Sequence, residues 1–594
     1  MPNLSRRRFF SLGVASSALT AACSTHPNGN EAVSSPRSLQ AYDGDLAFDH
    51  GVAAGDATSE AMIVWSRITP ITGSGPIEVL VFVSDDISEI ANLNQVEQGG
   101  LASVPVKSFR FTTTQDRDFT VKVDLLGLKP ATQYYYAFAV ETTAGVIVSP
   151  IGQAKTLPAE GKAPYKIAVV SCSNFPFGFF NVYDSIANKD DVDAVVHLGD
   201  YLYEYGTDGY GGDVGEKLGR QHAPEHELLT LADYRQRHAQ YKSDPLLQKA
   251  HAAAVWYCSW DDHESANDSY RTGAENHQPE KEGPWSERKA QAIQAYLEWM
   301  PVRDPVAGSV MGSVYRSFDI GDLATLFMLE SRLLGRSKPL SFEPAMALPA
   351  NEAFGKVQEI IAETQNPERT MLGPVQEAWL DTGLKASTSK GKVWQVLGNQ
   401  VIMARVNTPN VSAILSEEQK QEIYAAAPYA KPYVEFSKYG LVWNMDAWDG
   451  YVAARERLFA SAKDANARLV TLTGDTHTAW ANELHDKNGE RRGVEFGCTS
   501  VSSAGLGDTL PIPQLNELMA EKNKDVRFFD AFGRGYTLVT LKQEAVEAEY
   551  IKVSTVFAPE YSEETVLITQ SSATEQGVSA LSMSEKVISK QAAE

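Results

Sequence analysis

Cysteine is scarce in this chain, four among 594 residues. Setting aside Cys23, near the N-terminus, leaves Cys172, Cys258 and Cys498, an odd number. A disulfide-stapled scaffold needs paired cysteines, so that class is excluded. Cys258 and Cys498 read as small buried hydrophobes. Positive charge is also short: 53 Lys and Arg face 76 Asp and Glu, a formal net charge of -23. Such a field repels a polyanion and excludes a nucleic-acid-binding surface. It leaves room for a small phosphorylated substrate, because bound cations reverse the field locally. The apolar run near the N-terminus is too short for a membrane span. The zinc-peptidase pattern H-E-x-x-H is missing.

What is abundant is packing material: 43% hydrophobic residues, with 24 Tyr, 23 Phe and 10 Trp. A chain this long exceeds one core and predicts two or three domains. Residues 1–30 contain "LSRRRFFSLGVASSALTAACS", with Arg6, Arg7 and Arg8 ahead of a short apolar segment and small residues. That pattern is a secretory signal of twin-arginine type, predicting export to the periplasm or cell surface by the twin-arginine machinery. "TAAC" makes Cys23 a candidate for lipidation, although the leucine stands one place too early.

Residues 45–157 carry alternating strand patterns such as "AMIVWSRI" and "IEVLVFVSD". Within them "LKPATQYYYAF" is similar to the tyrosine corner of a fibronectin-type sandwich, so an N-terminal fibronectin/Ig-like all-β domain is expected. Residues 160–555 alternate strand and helix patterns, as in a layered α/β domain. After Tyr561 no aromatic residue occurs and Ser, Glu and Ala dominate, so residues 560–594 are expected to form a loosely ordered tail.

Chemistry is concentrated where apolar runs stop. "YKIAVVSCSN" ends on Ser171, Cys172 and Asn174; "DAVVHLGDYLYEY" ends on Asp200 and Tyr203. "AAAVWYCSWDDHESAND" ends on Asp261, Asp262 and His263, "KVWQVLGNQ" on Asn399, and "LVTLTGDTHTAW" on Asp475 and His477. One such ending is an ordinary surface turn. Five point to a shared edge, since sites in α/β sheets assemble at the carboxyl ends of strands. Carboxylates gathered there repel one another unless cations lie between them. Phenolate and thiolate donors favour a trivalent or soft transition ion, and carboxylates and amides favour hard divalent ions. Two cations roughly 3.5–4 Å apart can clamp a phosphoryl oxygen and bring the pKa of a bound water to about 7. The resulting hydroxide attacks phosphorus in line with the leaving oxygen.

These runs, with "GAENHQP", "AYLEWMPVR", "YRSFDIGDLATLFMLESR" and the N-terminal "HGVAAGDATSEAMIVWSRITP", resemble the PhoD-type alkaline phosphatases in order and spacing. The resemblance spans about residues 45 to 552 and implies a layered β-sandwich catalytic domain like that of the calcineurin-like metallophosphoesterases. It implies Fe(3+) held by Cys172, Tyr203 and Asp200, with Asp200 also reaching Ca(2+). Asp262 is implied as a calcium ligand, and Asp475 and His477 complete the cluster. His263 would stabilise developing charge or protonate the leaving oxygen. Asn399 is a further candidate ligand, from its place at a strand end. Arg271 is a candidate bidentate donor to a phosphate oxygen. The implied activity is hydrolysis of phosphate monoesters or diesters.

Other residues have plainer readings. Asp261 or Asp262 ligates while its neighbour caps a helix. His197 reads as a core histidine, His485 as exposed, and His277 matches the family without an evident role. Where the family tends to read L-D-T-R, this chain has "LESR", with Glu330 and Arg332, which puts substrate preference in question. A different class, an envelope binding module with purely structural calcium sites, predicts an all-oxygen set drawn mostly from one loop. Cys172, Tyr203 and His477 on separate runs oppose it.

Overall fold

The computed structural model describes residues 39–584 apart from 307, 311, 428 and 429. The leader at 1–30 with Cys23, and the chain beyond 584, lie outside the described residues. The runs "AVVH", "VWYC" and "LVTLT" are apolar or β-branched up to the terminal His197 and buried on both faces, the signature of strands inside a parallel sheet. In the larger, 11-stranded sheet, Tyr165–Val170, Ala194–His197, Val255–Cys258 and Val52–Gly55 run parallel. Antiparallel strands flank this centre on both sides. A 7-stranded sheet has Ala324–Met328, Trp394–Gly398, Leu469–Thr473 and Arg491–Gly497 as its parallel centre.

Period-two alternation decides what each strand faces. Ile167, Val169, Val196 and Tyr257 join Leu326, Met328, Val396, Val470 and Leu472 in the core between the sheets. Ala168, Val170, Val195 and Trp256 turn the other way, into a cluster shared with the helices Asn181–Ala187, Leu231–Lys242 and Trp285–Trp299. Phe327, Leu397 and Leu469 likewise meet Pro374–Ser389 and Val452–Asp464. The result is four layers, helices outside and two sheets inside. Each fully buried Val, Leu or Ile contributes roughly 1.5–3 kcal/mol to holding them together. The mixed α/β class expected from the sequence is what forms.

The N-terminal strands build a second pair of faces. A 5-stranded sheet contains Ile77–Ser84, Ser108–Thr113 and Gln133–Thr142. Val79, Val81, Val83 and Phe138 share a continuous core with Met62 and Val64 and with Val121 and Val123. The Tyr134 hydroxyl accepts from the Lys129 backbone N–H at 2.8 Å, tying down the turn ahead of its strand. Sequence pattern does not reveal how closely this part joins the rest. Val52–Gly55 pairs in parallel with Val255–Cys258, so one sheet runs through both.

The expected loose tail is corrected over its described part. Glu563–Thr574 pairs along Ala545–Val553, and Ser582–Met583 pairs back onto it. The alternate residues Leu567, Thr569 and Ser571 are buried. Period two was present, written in small residues that an aromatic count passes over. No helix among the described residues is long and apolar enough to cross a membrane.

Candidate metal centre

The parallel strands of both sheets release their chains at one edge, and the backbone there is contorted. Cys172, Asp200, Asp475 and His477 all have positive φ, at 61°, 53°, 66° and 55°. A non-glycine residue in this region costs roughly 1–3 kcal/mol, and such residues cluster at functional sites. Gly199, at φ 105°, admits the close approach of the next turn, for a Cβ there would lie 2.3 Å from the Asp261 nitrogen. Glu264 binds the same two turns. Its carboxylate accepts from the N–H groups of Asp200 at 3.1 Å, Tyr201 at 2.7 Å and Asp261 at 2.8 Å.

Three donor groups lie side by side: Cys172, Asp200 and His477; Asp200, Asp262 and His263; and Asp261, Asp262 and Asp475. Within each, the donor atoms lie within 4.8 Å of one another. Asp200 and Asp262 each belong to two groups, so the cluster is continuous. Tyr203 closes the first, its hydroxyl 3.4 Å from Asp200 Oδ2 and 3.0 Å from His477 Nε2. Cys172 Sγ is 3.4 Å from the same Asp200 oxygen. His477 Nδ1 lies 2.7 Å from the Ala504 carbonyl. A proton on Nδ1 satisfies that carbonyl and leaves the Nε2 lone pair facing the cluster. Burial lowers the His477 pKa to about 4, favouring the neutral, ligating form.

The unpaired atoms test whether cations fit here. Asp200 Oδ1, Asp261 Oδ2 and Asp262 Oδ1 are buried without a hydrogen-bond partner. Such atoms are costly unless something not made of protein completes them. Burial pushes Asp200 and Asp475 well above the carboxylate range. Asp261 is pushed up to about 6 by burial, against the pull of Arg332. Burial, and then Asp200, likewise raise the Cys172 thiol and the Tyr203 phenol. Acids gathered in a dry site and unwilling to ionise become good ligands once a multivalent cation is supplied. The residues fit metal ions.

One organic cation already stands among them. Arg332 is completely buried. Its guanidinium contacts Asp261 and Asp446, lies 3.1 Å from Asp475, and is 3.6 Å from Asp262. Burial opposes its charge, but these carboxylates hold its pKa well above the ordinary value. Asp262, which burial would raise, is held low by Arg332 and His263.

His263 has the geometry of a proton donor. Its Nδ1 lies 2.7 Å from Glu204 Oε2. The other Glu204 oxygen accepts from Asn267 N at 2.8 Å and Asn276 Nδ2 at 2.9 Å. Burial opposes charge on the ring, yet Asp262, Glu204 and Asp200 raise its pKa well above the ordinary histidine value. Nε2 is the nitrogen this pairing leaves for a substrate.

Two sequence candidates stand apart. Arg271 is exposed, and its backbone makes the contacts, with its N–H donating to Arg336 O and its carbonyl accepting from Lys289 Nζ. Asn399 is buried, but its Oδ1 accepts from Trp448 Nε1 at 3.1 Å and its Nδ2 donates to Val401 O. Glu204, Glu264 and Asp446 were not picked out from the sequence. His197 is the expected core histidine, 2.9 Å from Tyr183 OH. His277 lies 3.1 Å from Glu282. His485 is not exposed: it is half-buried, with Nδ1 3.0 Å from Asp525.

The profile of the PhoD-like phosphatases matches residues 167–550, and that of the PhoD-like phosphatase N-terminal domain matches residues 32–158. Alkaline phosphatase D of Bacillus subtilis (strain 168) is 33% identical over 517 residues, covering 85% of this chain and 77% of its own. A solved structure of PhoD is similar with a TM-score of 0.70 at 29% identity, covering 94% of both chains. The chain belongs to the PhoD-like phosphatases and is a phosphoric ester hydrolase.

Proposed function

We propose that the protein is an exported alkaline phosphatase that hydrolyses phosphate monoesters or diesters at a site holding iron and calcium. In this reading Cys172, Asp200, Tyr203 and His477 would hold Fe(3+), and Asp200, Asp262 and Asp475 would hold Ca(2+). When bound, such ions offset the charge of the phosphate and make a water acidic enough to react near neutral pH. The protein's own groups do the rest. Arg332 fixes the spacing of Asp261, Asp262 and Asp475. Glu204 fixes the ring of His263 and favours its cationic form, so that Nε2 can donate to the departing ester oxygen or to charge growing on the phosphoryl group. The N-terminal strands are proposed to form a fibronectin/Ig-like module without chemistry of its own, supported by the Tyr134 corner. Export rests on Arg6, Arg7 and Arg8, and a lipid anchor would use Cys23.

The observation that carries the reading is the set of unpartnered buried oxygens on Asp200, Asp261 and Asp262 beside a thiol, a phenol and an imidazole. Metal analysis of the purified protein, with hydrolysis of a chromogenic phosphomonoester and a diester, tests it. Iron and calcium are expected, together with a visible band from tyrosinate on iron that Tyr203→Phe removes. Calcium alone with no turnover would instead support a structural calcium module.

A further inference from the structure

We propose that Glu330 is a positioning residue, whose buried carboxylate holds the turn that presents Arg332 to the acidic cluster. The carboxylate is completely buried; Lys289 feels its charge, but among the described residues no Lys or Arg stands within ion-pair distance of it. Backbone and an indole satisfy it instead. Oε1 accepts from Trp260 Nε1 at 2.8 Å, Arg332 N at 3.0 Å and Leu333 N at 2.6 Å. Oε2 accepts from Leu334 N at 3.0 Å. Three successive N–H groups converging on one anion form a backbone nest.

The root of the turn is equally fixed. Glu330 N–H donates to Gln376 Oε1 at 2.9 Å, and Gln376 Nε2 donates back to the Glu330 carbonyl at 2.7 Å. Glu330 thus closes a turn between two anchored points, the strand Ala324–Met328 before it and Trp260 beside it. Trp260 immediately precedes Asp261, so one carboxylate registers two of the turns that carry the cluster. Arg332 leaves this turn as a rigid fork, and its Nε and both terminal nitrogens are engaged by carboxylates. The methylene that Glu adds over Asp gives the carboxylate longer reach, and both its oxygens are spent on the protein. Its role is therefore to fix Arg332 rather than to contact substrate.

This deepens the metal reading, on which it rests only for the identity of the groups that Arg332 spaces. The test uses Glu330→Gln, Glu330→Asp, Arg332→Lys and the double variant E330Q/R332K. Glu495→Gln serves as a control, because Glu495 is a buried carboxylate that also accepts backbone N–H groups, at 2.6 Å from Met403 and 3.1 Å from Ala404. Calcium chloride is titrated into chelator-treated protein, steady-state kinetics are measured on the metal-replete enzyme, and urea unfolding is followed on both forms. E330Q is expected to weaken calcium binding at least tenfold and to lower kcat more than it changes KM. In the R332K background it should add less than twofold. E495Q should lower stability while leaving calcium affinity within twofold. Effects of E330Q and R332K that simply multiply, or an E330Q indistinguishable from E495Q, would overturn the proposal. If E330Q does not fold, E330D carries the same comparison. If the wild-type protein binds no calcium, the metal reading fails, while coupling of E330Q to R332K in urea unfolding still decides whether Glu330 acts through Arg332.

Discussion

Glu204→Gln isolates one interaction at the reacting end of the site. Gln has the same shape, and its Oε1 can still accept from Asn267 N and Asn276 Nδ2, which lie 2.8 and 2.9 Å from Glu204 Oε1. What changes is the atom facing His263 Nδ1 across 2.7 Å, where a carboxylate oxygen becomes an amide N–H. A cationic ring then meets donor against donor, whereas a neutral ring can accept from the amide. A hydrogen bond to a charged partner contributes about 1.5–3 kcal/mol, so the ring's hold on its proton weakens roughly ten- to hundredfold. Asp262 and Asp200 remain and keep part of the effect, because they also raise this histidine.

The sign follows. A raised histidine pKa gives stability and activity that persist below the unfolded-state value and fade as pH rises through the folded-state value. Weakening the pairing moves that alkaline loss to lower pH. Profiles of kcat against pH, on wild-type and E204Q protein of equal metal content, should show the descending limb displaced toward neutrality. At alkaline pH kcat should fall roughly ten- to hundredfold, within the span that acid–base catalysis supplies. An unchanged limb with kcat within twofold would refute a proton-donating role for His263.

Three further outcomes are expected. Lys242 is buried, 4.5 Å from the Trp65 ring centre, with its amine 3.2 Å from His251 Nε2, and burial lowers its pKa to about 7. The folded state then carries its full penalty below pH 7 and sheds it toward the unfolded value of 10.5; Lys242→Met should flatten that rise in urea stability, by about 5 kcal/mol at most. Chelator treatment should lower both activity and the unfolding midpoint, and calcium at 100 times its Kd should restore about 2.7 kcal/mol per site, read by thermal melts. Ending the chain at residue 560 should expose the long edge of Ala545–Val553, giving an aggregation-prone protein by light scattering; unaltered solubility and midpoint would return that segment to the status of a dispensable tail.

The sequence made the ends of strands legible because parallel strands bury both faces. A continuous apolar run stops abruptly where the chain turns out of the sheet, and Cys172, Asp200, Asp262 and Asp475 stand at those stops. Glu204 lies inside "YLYEY", but no spacing rule tells which acid beside a tyrosine faces a histidine 59 residues away. Asp446 follows "LVWNM", an apolar stretch that forms no strand, and only the tertiary fold carries it to Arg332 and Arg336. Arg271 and Arg332 are both arginines after a short polar stretch; burial separates them, and burial of a cation depends on partners the sequence does not bring together. Asn399 ends its strand as the rule requires, yet Trp448 occupies its oxygen. The strand Glu563–Thr574 is hard to see in the sequence because alternation made of Thr and Ser carries little hydrophobic contrast.

The costs gathered at this edge favour metal dependence on grounds separate from ligand type. Four residues hold left-handed backbone, several buried acids resist ionisation, and three carboxylate oxygens have no hydrogen-bond partner. Together these costs reach several kcal/mol, comparable with the net stability of a domain. Glu264, Glu330 and Arg332 offset part of this by fixing the turns, but they leave the unpartnered oxygens as they are. A fold that keeps such a cluster needs a ligand that binds the native state and not the unfolded chain, and linkage then makes metal affinity and stability two readings of one quantity. Variants at Asp200 or Asp475 should therefore lose both together, whereas Glu204→Gln, which touches neither the strained backbone nor the unpartnered oxygens, should lose activity with little change in metal binding.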